Sequence, residues 1–228
     1  YLNVALNDRV RVFSTQLVLT NEALFPDRVV REAPTPADIA AGWAGVIVSV
    51  DSSRINFGEL TTSGVDLTAS ATIETALGDF RPALSATWVD EFEAGSAPGT
   101  PAVDRVGVAS TEGTITQWRG LASLGWQRGA WGASLSARYI PSYADATYTG
   151  ALTGGRVEEQ WLVDAQVSLN LRQGQFSPWL DGLALQVGVS NLFDEAPPFA
   201  EVGRPFGFDM SQGDLRQRFG YVNLSKRF

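Results

Sequence analysis

The chain has 228 residues, 25 acids against 17 bases, a net charge of −8, and neither cysteine nor histidine. Those absences exclude disulfides, thiolate and imidazole chemistry, Ser-His-Asp and Cys-His catalysis, and histidine or cysteine metal sites. The acidic balance argues against nucleic acid as a partner, because phosphate contacts need a basic surface. Apolar residues make up 44% and aromatics 11%, with 23 Gly and seven Trp, a composition that suits an all-β protein with many turns. No run approaches ~18 consecutive apolar residues, so no transmembrane helix is predicted.

The alternation of apolar and polar residues begins at once. Leu2, Val4 and Leu6 oppose Asn3, Ala5 and Asn7. With no initiator Met or leader before this pattern, the chain is expected to begin within a larger structure. Period two means strands with one apolar and one polar face. Eight such strands are predicted, over 1–12, 47–75, 80–92, 115–128, 131–143, 158–172, 182–194 and 216–228. The pattern is strictest in 65–74, 133–139, 163–172 and 183–190. In 163–172, for example, Val163, Ala165, Val167, Leu169 and Leu171 oppose Asp164, Gln166, Ser168, Asn170 and Arg172.

In the first long connection, Ser14 is placed to cap a helix in "TQLVLTNEALF", ended by Pro26. Thr35 is placed to cap a second, with Pro36 at its first position and Asp38 at its third.

Connections alternate in length along the chain. The long ones are 13–46, 93–114, 144–157 and 195–215, and the short ones are 75–80, 127–131 and 172–182. A soluble sandwich has no reason to gather every long loop at one end. A barrel in an outer membrane does, with short periplasmic turns and long external loops. The Trp spacing agrees. Trp118 and Trp126 share a face with Ala122 and Leu124. Eight residues apart on a tilted strand, they are separated by about 20 Å along the membrane normal, near the height of an apolar band with an aromatic girdle at each rim. Trp88 and Tyr139 fall at the loop-side rim, so Trp88, Trp118, Trp126 and Tyr139 are the expected girdle. Aromatics filling a sandwich core are the competing reading, which the loop asymmetry disfavours.

Four stretches carry a resemblance. "RINFGELTTSGVDL" (54–67) leads into a strand, "TQWRGLASLGWQRGAWGASLSARYI" (116–140) forms a hairpin, "GVSNLFDEAPP" (188–198) ends one, and "GYVNLSKRF" (220–228) closes on an aromatic. In this order they resemble the TonB-dependent outer-membrane receptors. The resemblance implies an all-β, antiparallel transmembrane barrel of about 22 strands with a plugged lumen. Residues 1–228 would be the C-terminal eight strands or so, without the plug domain and TonB box. It further implies active import of a scarce large solute (siderophore, cobalamin, glycan or peptide) and no enzymatic activity. The implied partners are the plug and remaining barrel strands, the TonB complex through that plug, outer-membrane lipid and lipopolysaccharide, and the barrel-assembly machinery. Val222, Leu224 and Phe228 would form the C-terminal insertion signal. Lys226 departs from the family pattern, which favours an apolar residue there.

No catalytic, cofactor-binding or metal-binding residues are predicted. Trp43, Tyr143, Tyr148, Phe206 and Phe208 are the candidate ligand-contacting loop residues, able to stack on a sugar or chelate. Arg119, Arg138, Asp164, Gln166, Asn170 and Arg172 are expected on the lumen face, against water or a plug. The acids Asp90, Glu91, Glu93, Glu158 and Glu159 read as solvating rim charges. The alternative function is a self-contained eight-strand barrel with a structural or adhesive role. An outer-membrane phospholipase or protease is opposed by the lack of histidine.

Overall fold

The computed structural model describes residues 1–7, 10–56, 58–95, 101–110, 113–147, 155–171, 177 and 179–227. Two compact units share the chain. The larger comprises residues 1–2, 63–90 and 105–228, and the smaller residues 3–62 and 91–104.

One antiparallel sheet dominates. Its path runs in chain order through eight strands: β1 (Leu2–Leu6), β2 (Leu60–Ser70), β3 (Gly78–Ala94), β4 (Trp118–Arg128), β5 (Trp131–Ile140), β6 (Gln160–Asn170), β7 (Leu183–Ser190) and β8 (Phe219–Lys226). Each strand pairs with the one before it, so β1 and β8 are the two ends of the path. Seven of the eight predicted spans contain their strand, and β3 runs two residues past its predicted 80–92 at each end. Their boundaries differ most in the span predicted at 47–75, which breaks into Ile47–Val50, Ile55–Asn56, β2 and Ile73–Thr75. The break at 51–54 has a local cause: the Asp51 carboxylate accepts from the Ser53 amide at 2.8 Å, and the Arg28 guanidinium binds the Asp51 and Ser53 carbonyls. That turn chemistry outcompetes a continued ladder.

Register puts the alternation to use. One row across the sheet is Pro82, Leu124, Leu135, Ala165, Val189 and Gly220. The next is Leu84, Ala122, Ala137 and Val163. One residue over, the same pairs read Ala83, Ser123, Ser136 and Asp164. A one-residue slip would exchange the faces completely, so the hydrophobic pattern specifies the register strongly. Large apolar side chains on the first face remain exposed, among them Leu67, Leu84, Leu124, Leu135, Val167, Val187, Val222 and Leu224. Ordinary water-soluble folds bury such a surface. The opposite face carries hydrogen bonds instead: Thr87 donates to Asp66 at 2.6 Å, and Tyr221 to Gln166 at 2.9 Å.

Gly188 shows why that second contact needs a glycine. It pairs with Tyr221, whose ring crosses it so closely that a Cβ on Gly188 would lie 2.4 Å from the phenol. At the other end of the sheet, β4 turns into β5 through Gly129 and Ala130 alone. Gly129 takes a φ of 58°, as the first residue of a two-residue hairpin turn of type II′ requires.

The smaller unit holds the two expected helices. Helix α1 (Thr15–Thr20) is capped by Ser14, which accepts from the Leu17 amide at 3.2 Å. It stops before the predicted end. Thr20 bonds back to the Gln16 carbonyl and the Asn21 side chain to the Leu17 carbonyl, which satisfies the last turn early. A single 3₁₀ turn, Glu22–Leu24, follows. Helix α2 (Pro36–Ala41) has the full capping box of Thr35 and Asp38, which holds the Asp38 carboxyl below its ordinary range through the Thr35 hydroxyl and amide. Around α1, Phe13, Val18, Phe25 and Val29 form a buried cluster closed by Leu17, Leu19 and Val50. The first of the predicted surface helices thus packs on a small core, while α2 buries no residue.

Candidate functional site

The long connections of the larger unit are built into each other. Val108–Ser110 and Gly113–Ile115 come from the β3–β4 connection, and Tyr143–Asp145 and Arg156–Val157 from the β5–β6 connection. They form a four-stranded sheet in which Val108 pairs with Ala144 in parallel, so two loops share one ladder. Ala109, Ile140, Tyr143, Val157 and Ala200 close a core beneath it, with Leu162 and Val202 against them. Ala200 and Val202 belong to the β7–β8 connection, so all three loops contribute.

Two buried carboxylates fasten this cluster. Asp209, in the β7–β8 connection, accepts from the Tyr143 hydroxyl at 3.1 Å and from the Thr114 hydroxyl on the same oxygen. Its other oxygen takes the Ser211 amide and hydroxyl at 2.8 and 2.7 Å. Asp145 accepts from the Thr147 amide and hydroxyl at 2.9 and 2.7 Å, and from the Val202 amide at 2.9 Å. Asp209 therefore joins all three loops and Asp145 joins two. Burial, and then the Asp209 charge, push the Tyr143 phenol well above its ordinary value, so it stays a donor.

Burial acts to raise the Asp145 carboxyl, yet the hydrogen bonds from Thr147, Val202 and Glu201 outweigh it and the net shift is downward. A carboxyl depressed in the folded state adds stability above its unfolded value near 3.8 and loses it as pH falls through the folded value. Hydrogen exchange at the Val202 and Thr147 amides is therefore expected to accelerate below that pH, over and above the intrinsic rate. Asp145→Asn should flatten the dependence. An unchanged pH profile in that variant would show that Asp145 is not the group responsible.

The predicted loop aromatics separate into two kinds. Tyr143 and Phe208 are buried, at 2% and 8% exposure, and are used in packing. Trp43, in the smaller unit, and Phe206, in the larger, are open to solvent. Tyr148 lies outside the described residues, as do Arg172 and Phe228. Asp209 and Asp145 were not singled out from sequence, where each resembles a turn residue.

At the loop end of the apolar face, Trp88 and Trp118 stand 6.0 Å apart between centroids, and Tyr139 and Trp161 4.6 Å apart. At the turn end Trp126 faces Phe80, and its indole N–H donates to the Leu77 carbonyl at 2.9 Å. An apolar ring with a satisfied polar tip is the chemistry of an interfacial anchor. Trp161 and Phe80 complete rows of which sequence reading found only part. In the terminal strand, Val222 and Leu224 lie exposed on the apolar face. Lys226 ends their row and its ammonium donates to the Trp179 carbonyl at 2.5 Å, so the charge is held at the turn end, away from the apolar rows.

The "NLFD" segment also has a physical role. The Asn191 side chain accepts from the Glu195 amide at 2.9 Å and donates to the Glu195 carbonyl at 2.7 Å. The Asn191 amide donates to Asp164 of β6, and the Arg218 amide to Asp194. Asn191 and Asp194 both take positive φ, at 51° and 62°. The segment turns the chain off β7 and ties the entry of β8 to its exit.

Residues 25–192 match the family model described as "TonB dependent receptor-like, beta-barrel". No curated protein sequence matches the chain. Among solved structures, the chain is similar to a mutant of the ferric enterobactin receptor PfeA from Pseudomonas aeruginosa, at 12% identity and a TM-score of 0.55, covering 99% of this chain and 28% of that one. It is also similar to the closed form of the ferric-catecholate import receptor Fiu from E. coli K12, at 16% identity and a TM-score of 0.44, covering 76% of this chain and 22% of that one. The chain thus spans about a quarter of the length of these receptors. With the family model covering most of its length, the chain belongs to the TonB-dependent receptor-like β-barrel family, as a part of the barrel.

Proposed function

We propose that this chain supplies barrel wall and external loops to an outer-membrane receptor that imports a scarce, large solute, driven by TonB acting on a plug in the lumen. The observation that carries the reading is the register, which assembles one exposed apolar face and one polar face across strands matched by the family model. An apolar face of this kind needs lipid against it, and a polar one needs water or a plug. The remaining strands and the plug would come from outside residues 1–228. Outer-membrane lipid, lipopolysaccharide and the barrel-assembly machinery are the further partners. The three interlocked loops would form the external mouth, with Phe206 as an exposed aromatic contact, and Trp43 would be an exposed aromatic of the smaller unit.

The receptor carrying this chain should import at least one member of a panel of ferric siderophores, cobalamin, oligosaccharides and peptides. Ferric siderophores come first, since PfeA is a ferric enterobactin receptor. Uptake should vanish when TonB is deleted or the proton gradient collapsed. Uptake that persists without TonB would sink the reading in favour of a passive pore. Failure of the entire panel would favour a structural or adhesive barrel.

Orientation has its own test. Cysteines placed singly at Ala76, in the β2–β3 turn, and at Phe206, in the β7–β8 loop, should react differently with an impermeant reagent on whole cells. Phe206→Cys should label and Ala76→Cys should not. The reverse result would invert the topology.

A further inference from the structure

The polar face contains a cavity of about 230 Å³ lined by side chains of opposite character to the chain as a whole. Arg119 of β4 and Arg138 of β5 both enter it, with Ser85 and Thr87 of β3 and with Ser211 and Gln212 of the β7–β8 loop. Among the described residues no carboxylate lines it, in a protein of net charge −8. Register explains how the two arginines meet. Arg138 pairs directly with Leu121, and Arg119 lies two residues along the same face. They are therefore diagonal cross-strand neighbours, at about 7–8 Å between positions. Like charges so placed repel unless something of opposite sign lies between them.

Neighbouring acids do not fill that role. Asp66 accepts the Thr87 hydroxyl, and Asp214 is held by Arg216 through contacts of 2.6 to 3.2 Å. Asp209 is occupied by Thr114, Tyr143 and Ser211. Arg138 acts on Asp214 through charge, but among the described residues its guanidinium donates to no protein oxygen. Arg119 donates to the Thr116 hydroxyl and the Gln212 amide oxygen, both at 3.2 Å, and among the described residues no carboxylate pairs with it. The two guanidinium forks, with the Ser85 hydroxyl beside them in a lining that also includes Leu121 and Ile140, form a carboxylate receptor.

We propose that this cavity binds a carboxylate between Arg119 and Arg138. The group is either that of a small polycarboxylate entering the lumen or an acidic side chain of the domain that fills it. The proposal rests on the polar face being the lumen of the barrel. That premise is read separately by the gel mobility of face-switching variants, so its failure is distinguishable from failure here.

The test uses the intact receptor in detergent at fixed ionic strength, with citrate as probe. Thermal stability is measured for the parent, Arg138→Gln, Arg119→Gln and the control Asp214→Asn. If the carboxylate is a solute, citrate raises the Tm of the parent and the effect falls at least tenfold in apparent affinity in either arginine variant. If it is a side chain of the receptor, citrate has no effect, and both arginine variants melt several degrees below the parent while Asp214→Asn does not. Arg138→Lys separates fork from charge, and in either case should restore less than half of the loss. If removing either arginine raises the Tm without citrate, the pair is an unoccupied repulsion and the proposal is overturned. It is equally overturned if neither citrate nor substitution has any effect.

Discussion

Leu135→Arg is expected to destabilise the barrel by about 2–4 kcal/mol, the cost of an arginine near the bilayer midplane in such proteins. Ser136→Arg, one residue on, should be nearly silent. The two positions have the same strand, the same neighbours in sequence and the same substituent. Only the face differs. Leu135 lies in the row between Leu124 and Ala165, and on β5 itself it is midway between Trp131 and Tyr139 on the same face. Ser136 lies between Ser123 and Asp164, on the face that carries Arg119 and Arg138. A guanidinium there meets water and an acidic neighbour, while at 135 it must be drawn into hydrocarbon or drag water with it. Heat-modifiable gel mobility and the denaturant midpoint in detergent or lipid read the difference. Equal effects, or a larger effect at Ser136, would mean that the faces are assigned the wrong way round.

The strands were legible in sequence because a sheet with one side in lipid cannot tolerate a break in period two. From Val163 to Leu169 every second residue is apolar, and the register places each of them in a row with apolar residues of β5. The turns were legible for a related reason. Gly129 sits where a two-residue hairpin needs a positive φ, and few other residues serve there. The loop cluster was not legible. Its strands are two or three residues long, too short for any periodicity, and their key pairing joins Val108 to Ala144 across a whole hairpin. Asp209 and Asp145 look like turn-formers in sequence, and both do cap local turns, through Ser211 and Thr147. Their second oxygens reach residues 95 and 57 positions away, which no local pattern encodes. For the same reason Tyr143 and Phe208 read as exposed loop aromatics, whereas tertiary packing buries them. The "NLFD" segment was visible as a pattern, but its work became apparent only when Asn191 was seen closing its own turn against Asp164.

Asp209→Ala should free the three loops from one another while leaving the barrel wall intact. The substitution removes the acceptor of the Tyr143 and Thr114 hydroxyls, which are 2% and 6% exposed and have no room to turn to bulk water. A buried donor left unsatisfied costs about 1–3 kcal/mol, so two together amount to several kcal/mol applied to a small loop sheet. Tyr143→Phe removes one donor and leaves Asp209 its bonds to Thr114 and Ser211, so it should cost only about 1 kcal/mol. The difference separates loss of the carboxylate from loss of one contact. Hydrogen exchange locates the effect. The Ala144 amide donates to the Gly107 carbonyl at 2.8 Å and the Ala146 amide to the Ala109 carbonyl at 3.0 Å, both between loops. Their exchange should accelerate by two orders of magnitude or more in Asp209→Ala, since ~1.4 kcal/mol corresponds to a factor of ten. Amides in the β4–β5 ladder, such as those of Leu124 and Leu135, should keep their parent rates. If loop and wall amides accelerate together, the loops and barrel unfold as one cooperative unit and Asp209 is not a local fastening. If neither changes, other contacts hold the loops. The local outcome would also give the mouth its mechanical character. The described residues of these three connections in the larger unit would move as one body, and a solute would meet a single rim in place of three independent flaps.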